Sequence, residues 1–126
     1  INDKFYFEDV GIRNSLVHGG LAQSIEKIIE NAVYLHLVRL GYEVTVGYLQ
    51  KTEIDFVARK NDGTIYIQAT YLLSSEETIS REFGNLMLIN DNYPKYVVSM
   101  DELYENKDYQ GIKHLHLRQF LLSREL

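Results

Sequence analysis

Between His18-Gly19-Gly20 and Gly41 the chain carries Leu21, Ile25, Ile28, Ile29, Ala32, Val33, Leu37 and Leu40 at the three- and four-residue intervals of a helical face. An uninterrupted run of that period commits the segment to an amphipathic helix, with the glycine pair breaking the chain before it and Gly41 suited to its C-cap. The pattern then changes. Tyr42 to Gly47, Glu53 to Arg59 and Thr64 to Leu72 are strand candidates, and Asn61-Asp62-Gly63 between the last two suits a tight hairpin turn. The apolar face of the helix must be buried against something, and a meander of antiparallel strands directly after it supplies the surface.

The second half repeats the alternation. Ser74 and Glu77 have the spacing of a capping box, and Ile79, Phe83, Leu86, Met87 and Ile89 supply an apolar helix face that ends near Asn90-Asp91-Asn92. Pro94 to Met100 reads as a strand, Lys113 to Leu117 as a shorter one, and Arg118 to Leu122 as a closing helical turn. The expected fold is α/β, with one mixed sheet of about four to five strands flanked by helices, in the order helix-strand-strand-strand-helix-strand. The strand after the second helix should run parallel to its neighbour through a right-handed crossover. Residues 1–20 read as an N-terminal arm or linker. There Lys4 to Phe7 is extended and Glu8-Asp9-Val10-Gly11 turns towards Ile12-Arg13-Asn14, leaving 21–126 as the domain proper.

A chain of 126 residues, 45% apolar with ten Tyr and five Phe, can fill one core without disulfides or metal. It has no Cys, hence neither a disulfide framework nor a thiolate metal site, and no apolar run near the roughly 20 residues of a membrane span. A cytoplasmic protein with no membrane partner is expected. A net charge of −5 repels polyanions, so any nucleic-acid role must be local. The start at Ile1, with no initiator Met and no signal-peptide pattern, leads us to expect a piece of a longer polypeptide.

Strand alternation puts Glu53, Asp55 and Val57 on one face and Ile54, Phe56 and Ala58 on the other, while Tyr66, Gln68 and Thr70 share a face of the next strand. If the hairpin brings the polar faces together, Asp55 and Gln68 converge. A carboxylate beside further oxygen donors suits a hard cation such as Mg²⁺, which can activate water against a phosphodiester. Glu30 lies about 140° of helical rotation from Ile25, on the flank of the apolar stripe, where it can lean over a sheet edge. The plainer alternative is that these acids are solvated side chains of a strand's polar face and a helix flank.

The run Glu30-Asn31-Ala32-Val33, then Gly41-Tyr42-Glu43-Val44, Glu53-Ile54-Asp55-Phe56-Val57-Ala58 and Ile65-Tyr66-Ile67-Gln68-Ala69 resembles the uncharacterised C-terminal domain of many bacterial and archaeal AAA+ ATPases. Lys4 to Asn14, Arg81-Glu82-Phe83 and Tyr93-Pro94-Lys95 extend the resemblance over nearly the whole chain. That domain is similar in turn to PD-(D/E)XK nucleases, so the resemblance implies a restriction-endonuclease-like fold and an ATPase domain upstream. It implies a site in which Glu30 stands for the helix Glu, Asp55 for the strand Asp, Gln68 for the acid of the (D/E)-x-K triplet and Thr70 for its Lys. Glu30, Asp55 and Gln68 would then be the metal ligands. The motif is degraded: Gln68 offers a neutral carbonyl in place of a carboxylate, and Thr70 cannot supply the cation. Arg81 could bring a displaced positive charge, or pair with Glu77 or Glu82, or face solvent.

Other chemistries fit less well. His114-x-His116 would share a strand face but has no third ligand at a recognisable spacing, so the histidines read as sheet residues. No Gly-x-Ser-x-Gly elbow, P-loop or Gly-x-Gly-x-x-Gly occurs. Tyr71, Tyr93, Tyr96 and the cluster Phe5-Tyr6-Phe7 suit base stacking, contact with a neighbouring domain, or ordinary core filling.

Three functions are therefore open. The leading one is a nuclease-like accessory domain of a AAA+ ATPase that binds a nucleic acid (DNA or RNA) or a protein with weak or no cleavage. The others are a Mg²⁺-dependent nuclease with a substituted triplet, and a structural interaction domain. A basic groove around Arg59, Lys60 and Arg81 would favour nucleic acid.

Overall fold

The computed structural model describes residues 20–49, 51–61, 63–104 and 108–126, together with the backbone of 2–5. The expected turn at 8–14 and the side chains of Phe5, Tyr6 and Phe7 lie outside the described residues. The elements run β1 (Asn2–Phe5), α1 (Leu21–Arg39), β2 (Glu43–Leu49), β3 (Thr52–Lys60), β4 (Gly63–Ala69), α2 (Glu76–Met87), β5 (Lys95–Ser99), a 3-10 turn (Glu102–Tyr104), β6 (Asp108–Tyr109), β7 (Ile112–His116) and α3 (Leu117–Leu122).

The strands form one mixed sheet in the order β1-β2-β3-β4-β5-β7-β6. β1 to β4 are antiparallel neighbours, β4-β5 and β5-β7 are parallel, and β6 is antiparallel to β7. The α/β class, the meander and the parallel return after the second helix are as expected. The strand count is higher, seven among the described residues, because β1 from the N-terminal stretch and the two-residue β6 join the sheet. A strand two residues long carries no period to read.

Helix α1 ends in a Schellman arrangement. Tyr42 N–H donates to Leu37 O (3.0 Å) and Gly41 N–H to Val38 O (2.9 Å), which requires Gly41 to take φ +95°. Lys60 Nζ donates to Leu40 O (2.9 Å) and lies 4.6 Å over the Tyr42 ring, so β3 holds the same helix end. The cap of α2 falls one residue later than the capping-box pattern suggests: Ser75, not Ser74, accepts from Thr78 N–H at 3.1 Å. Either serine suits an N-cap, although only Ser74 has a Glu three residues on, and Phe83 and Leu86 are the residues α2 buries.

Two cores cover the two faces of the sheet. Ile29, Val33 and Leu37 of α1 and Phe120 of α3 pack on Val44, Phe56, Ala58, Ile65, Ile67, Ala69 and Val98. Phe83 and Leu86 of α2 pack with Ile54, Val57, Tyr66, Leu73, Val97 and Ile112. Ile54 therefore lies with Val57, not with Phe56 and Ala58 as strict alternation requires. The cause is a bulge. Thr45 pairs with Val57 and Gly47 with Ile54, so Asp55 and Phe56 together oppose the single residue Val46.

Gly47 makes this bulge feasible. A Cβ there would meet Val57 Cγ2 at 2.6 Å and Ile54 Cβ at 3.4 Å, and both neighbours are fully buried. Gly47→Ala should destabilise the fold by about 1–3 kcal/mol in urea unfolding. At the β6–β7 hairpin, Gln110 (φ +52°) and Gly111 (φ +88°) form a loop with both residues left-handed. Gln110→Asn should raise stability by about 0.5–1 kcal/mol in the same assay, since asparagine tolerates that conformation better.

Candidate functional site

The ladder between β3 and β4 runs from Lys60↔Gly63 to Phe56↔Ile67. One step further, side chains take over from the backbone. Asp55 N–H donates to Gln68 Oε1 at 2.7 Å, and Ala69 N–H donates to Asp55 Oδ2 at 2.9 Å. The bulge that shifts Ile54 to the other face turns Asp55 out of the ladder at this point. Gln68 is buried and Asp55 half-buried, so these bonds satisfy groups that would otherwise be costly to leave unpaired. The convergence of Asp55 and Gln68 expected from the hairpin is present.

Thr70, also buried, donates its hydroxyl to Glu26 Oε2 of α1 at 3.0 Å, and Tyr71 N–H approaches the same oxygen at 3.5 Å. Glu30, one helical turn beyond Glu26, has Lys27 Nζ at 3.5 Å. On the opposite face of the sheet, α2 contributes Glu82, whose carboxylate lies 3.5 Å from the guanidinium of Arg81. Arg81 is more than half exposed, with Glu82 rather than Glu77 as its ion-pair partner. Of the expected residues, Glu30, Asp55, Gln68 and Thr70 gather where β3 and β4 part, and Arg81 stands at the rim.

Glu26 and Glu82 were missed from the sequence, though both left a trace. Glu26 precedes Glu30 by four residues and so shares its flank of the helix. Glu82 falls between Ile79 and Leu86 at intervals of three and four, on the face that α2 buries.

The carboxylates burden one another. Burial pushes Asp55 well above the usual aspartate range, and Glu30 adds to the rise while the Ala69 N–H opposes it. Burial also raises Glu30, against the lowering effect of Lys27. Glu82 is pushed up to about 7 by burial, with Arg81 opposing and Glu26 and Glu30 reinforcing. Among the described residues, however, no group of three or more His, Asp or Glu side chains is placed to hold a metal ion.

Of the cations named as a nucleic-acid groove, Arg59 and Arg81 are exposed and Lys60 is half-buried. Lys60 holds the end of α1, and Arg59 Nη1 lies 3.4 Å from Thr45 Oγ1. His114 is fully buried with Nε2 2.6 Å from Ser99 Oγ, and His116 caps α3 by accepting the Arg118 N–H at Nδ1, 3.0 Å. Tyr71 and Tyr96 pack against the core, while Tyr93 is exposed.

A raised carboxyl pKa has a definite sign in stability. The folded protein keeps the Glu82 proton between the ordinary value of 4.5 and about 7, whereas the unfolded chain releases it. Stability should therefore fall as pH rises through that window, by about 1–3 kcal/mol from this group. Glu82→Gln should flatten the fall, and at pH 8 the variant should be more stable than the wild type in thermal unfolding.

No family model and no solved structure matches the chain. An uncharacterised protein of Haemophilus influenzae is 34% identical over 122 residues, which is 97% of this chain and 29% of that protein. The chain thus spans less than a third of the length of the relative it matches.

Proposed function

We propose that this chain is an accessory domain of a longer cytoplasmic polypeptide, with a nuclease-like architecture whose cleavage chemistry has been converted into a structural clamp. Its role is to engage a protein partner. The resemblance to the C-terminal domain of AAA+ ATPases makes an ATPase domain in the same polypeptide the motor it would serve, and the greater length of the Haemophilus influenzae relative agrees with a domain of a larger protein. No helix among the described residues is long and apolar enough to cross a membrane.

One observation carries this reading. The carbonyl of Gln68, which would have to serve as a metal ligand, accepts the Asp55 backbone N–H at 2.7 Å, and one oxygen of Asp55 accepts the Ala69 N–H. The hydroxyl of Thr70, at the position of the missing lysine, is given to Glu26. Among the described residues, no three His, Asp or Glu side chains converge to hold a divalent ion. A protein partner is favoured over DNA or RNA by the net charge of −5 and by the use of Lys60 to hold the end of α1.

A second reading, a Mg²⁺-dependent nuclease with Glu30, Asp55 and Gln68 as ligands, has one observation in its favour. Raised carboxyl pKa values in Glu30, Asp55 and Glu82 are what a bound cation would relieve.

The test is incubation with single-stranded, duplex and branched DNA and RNA in Mg²⁺ and Mn²⁺, with calorimetric titration of both ions and Asp55→Ala run in parallel. We expect no metal-dependent products and no saturable ion binding. Asp55→Ala should cost about 1–3 kcal/mol of stability because it orphans the Ala69 N–H. Products that vanish in Asp55→Ala would overturn the proposal and establish the nuclease; retarded DNA or RNA without products would replace the protein partner by a nucleic acid.

A further inference from the structure

A cavity of about 460 Å³ opens between the end of α2, the loop that leads into β5 and the β6–β7 hairpin. Pockets that hold a small molecule run from about 300 to 1,000 Å³. Leu86, Ile89 and Ile112 line this one from the buried side, while Met87 and Tyr93, each 43% exposed, line it towards solvent.

Asp91 and Lys95 are the charged residues of its wall, and they are committed to each other and to the loop. Lys95 Nζ donates to Asp91 Oδ1 (2.9 Å), Asp91 O (3.0 Å) and Tyr93 O (2.9 Å), which uses all three of its protons. Asp91 Oδ1 also accepts the Tyr93 N–H (3.0 Å), and Oδ2 accepts the Tyr66 hydroxyl (2.6 Å). An ionic ligand would have to break these bonds to be paired, so the wall suits an uncharged one. The same bonds fix the loop before anything binds, which lowers the cost of binding.

The side-chain amides of Asn92 and Gln110, also in the wall, have no hydrogen-bond partner among the described residues. Each amide offers donors and an acceptor, the complement of a ring edge that carries both. Gln110 stands in the left-handed region (φ +52°), which glycine or asparagine takes at less cost, and strain of this kind gathers at ligand sites. The Tyr93 ring adds a surface on which a planar group can stack.

We infer that this cavity binds an uncharged ring compound of nucleoside size, held by the amides of Asn92 and Gln110 and stacked on Tyr93. The site lies apart from Asp55, Gln68 and Thr70 and does not depend on the function proposed from them.

The experiment titrates the full-length polypeptide with adenosine, uridine and adenosine monophosphate, followed by calorimetry and ligand-observed NMR. We expect saturable binding of the nucleosides, with the monophosphate held no more tightly than adenosine. Tyr93→Ala removes the stacking surface, and Gln110→Gly removes an amide while keeping a residue suited to the turn. Each should weaken nucleoside binding about tenfold with circular dichroism unchanged, and Leu103→Ala, in the exposed 3-10 turn, should have no effect. Gln110→Gly decides the matter if Tyr93→Ala fails to fold.

No saturable binding of either nucleoside would overturn the inference, as would binding that neither variant weakens. A monophosphate bound tenfold more tightly than adenosine would overturn the argument from the committed charges. A short oligonucleotide that binds while nucleosides do not would overturn it in favour of a nucleic-acid strand.

Discussion

The fold turns on the place where β3 and β4 cease to share backbone hydrogen bonds. Two strands of an antiparallel hairpin cannot separate without orphaning buried N–H groups, and here two side chains accept them. Gln68 takes the Asp55 N–H and Asp55 takes the Ala69 N–H. That exchange lets the strands part while remaining tied. The opening it creates admits Glu26 and Glu30 from one face of the sheet and Glu82 from the other. The bulge opposite Val46 and the bare backbone of Gly47 are the local conditions for it.

A site assembled in this way sits between two uses. The same carboxylates that strain one another when charged would be eased by a cation or by protons, and the hydrogen bonds that hold them reduce what they can offer a ligand. Gln68 is neutral in a place crowded with carboxylates, and it supplies an acceptor for the Asp55 N–H. Thr70 supplies a donor for Glu26 on a side chain short enough to be buried. Both residues thus tie neighbouring elements together where β3 and β4 part.

Much of this was legible in the sequence because it depended on local period and turn chemistry. The helix from Leu21, the hairpin at Asn61, the strand after α2 and the meeting of Asp55 with Gln68 all follow from spacings of two, three or four residues. What was not legible depended on partners distant in sequence. The bulge requires β2 and β3 to be compared residue by residue, and nothing in either strand alone marks Asp55 as the extra residue. The outward position of Leu21 and Ile28, both exposed, was hidden because leucine and isoleucine at helical spacing look the same on either side of a helix. Glu82 follows Arg81 directly, and adjacent opposite charges on a helix look the same in sequence whether or not one of them is buried.

The margins of the sheet carry a consequence for the protein in concentrated solution. Among the described residues β6 is two residues long and β1 four, so each rim strand presents only a short row of backbone groups to a stray strand. The β6 rim turns away after Tyr109 through a loop in which both residues are left-handed. The longest strands, β3 with nine residues and β2 and β4 with seven each, lie in the interior of the order, where neighbours already occupy both sides. The sheet therefore offers a poor template for edge-to-edge aggregation.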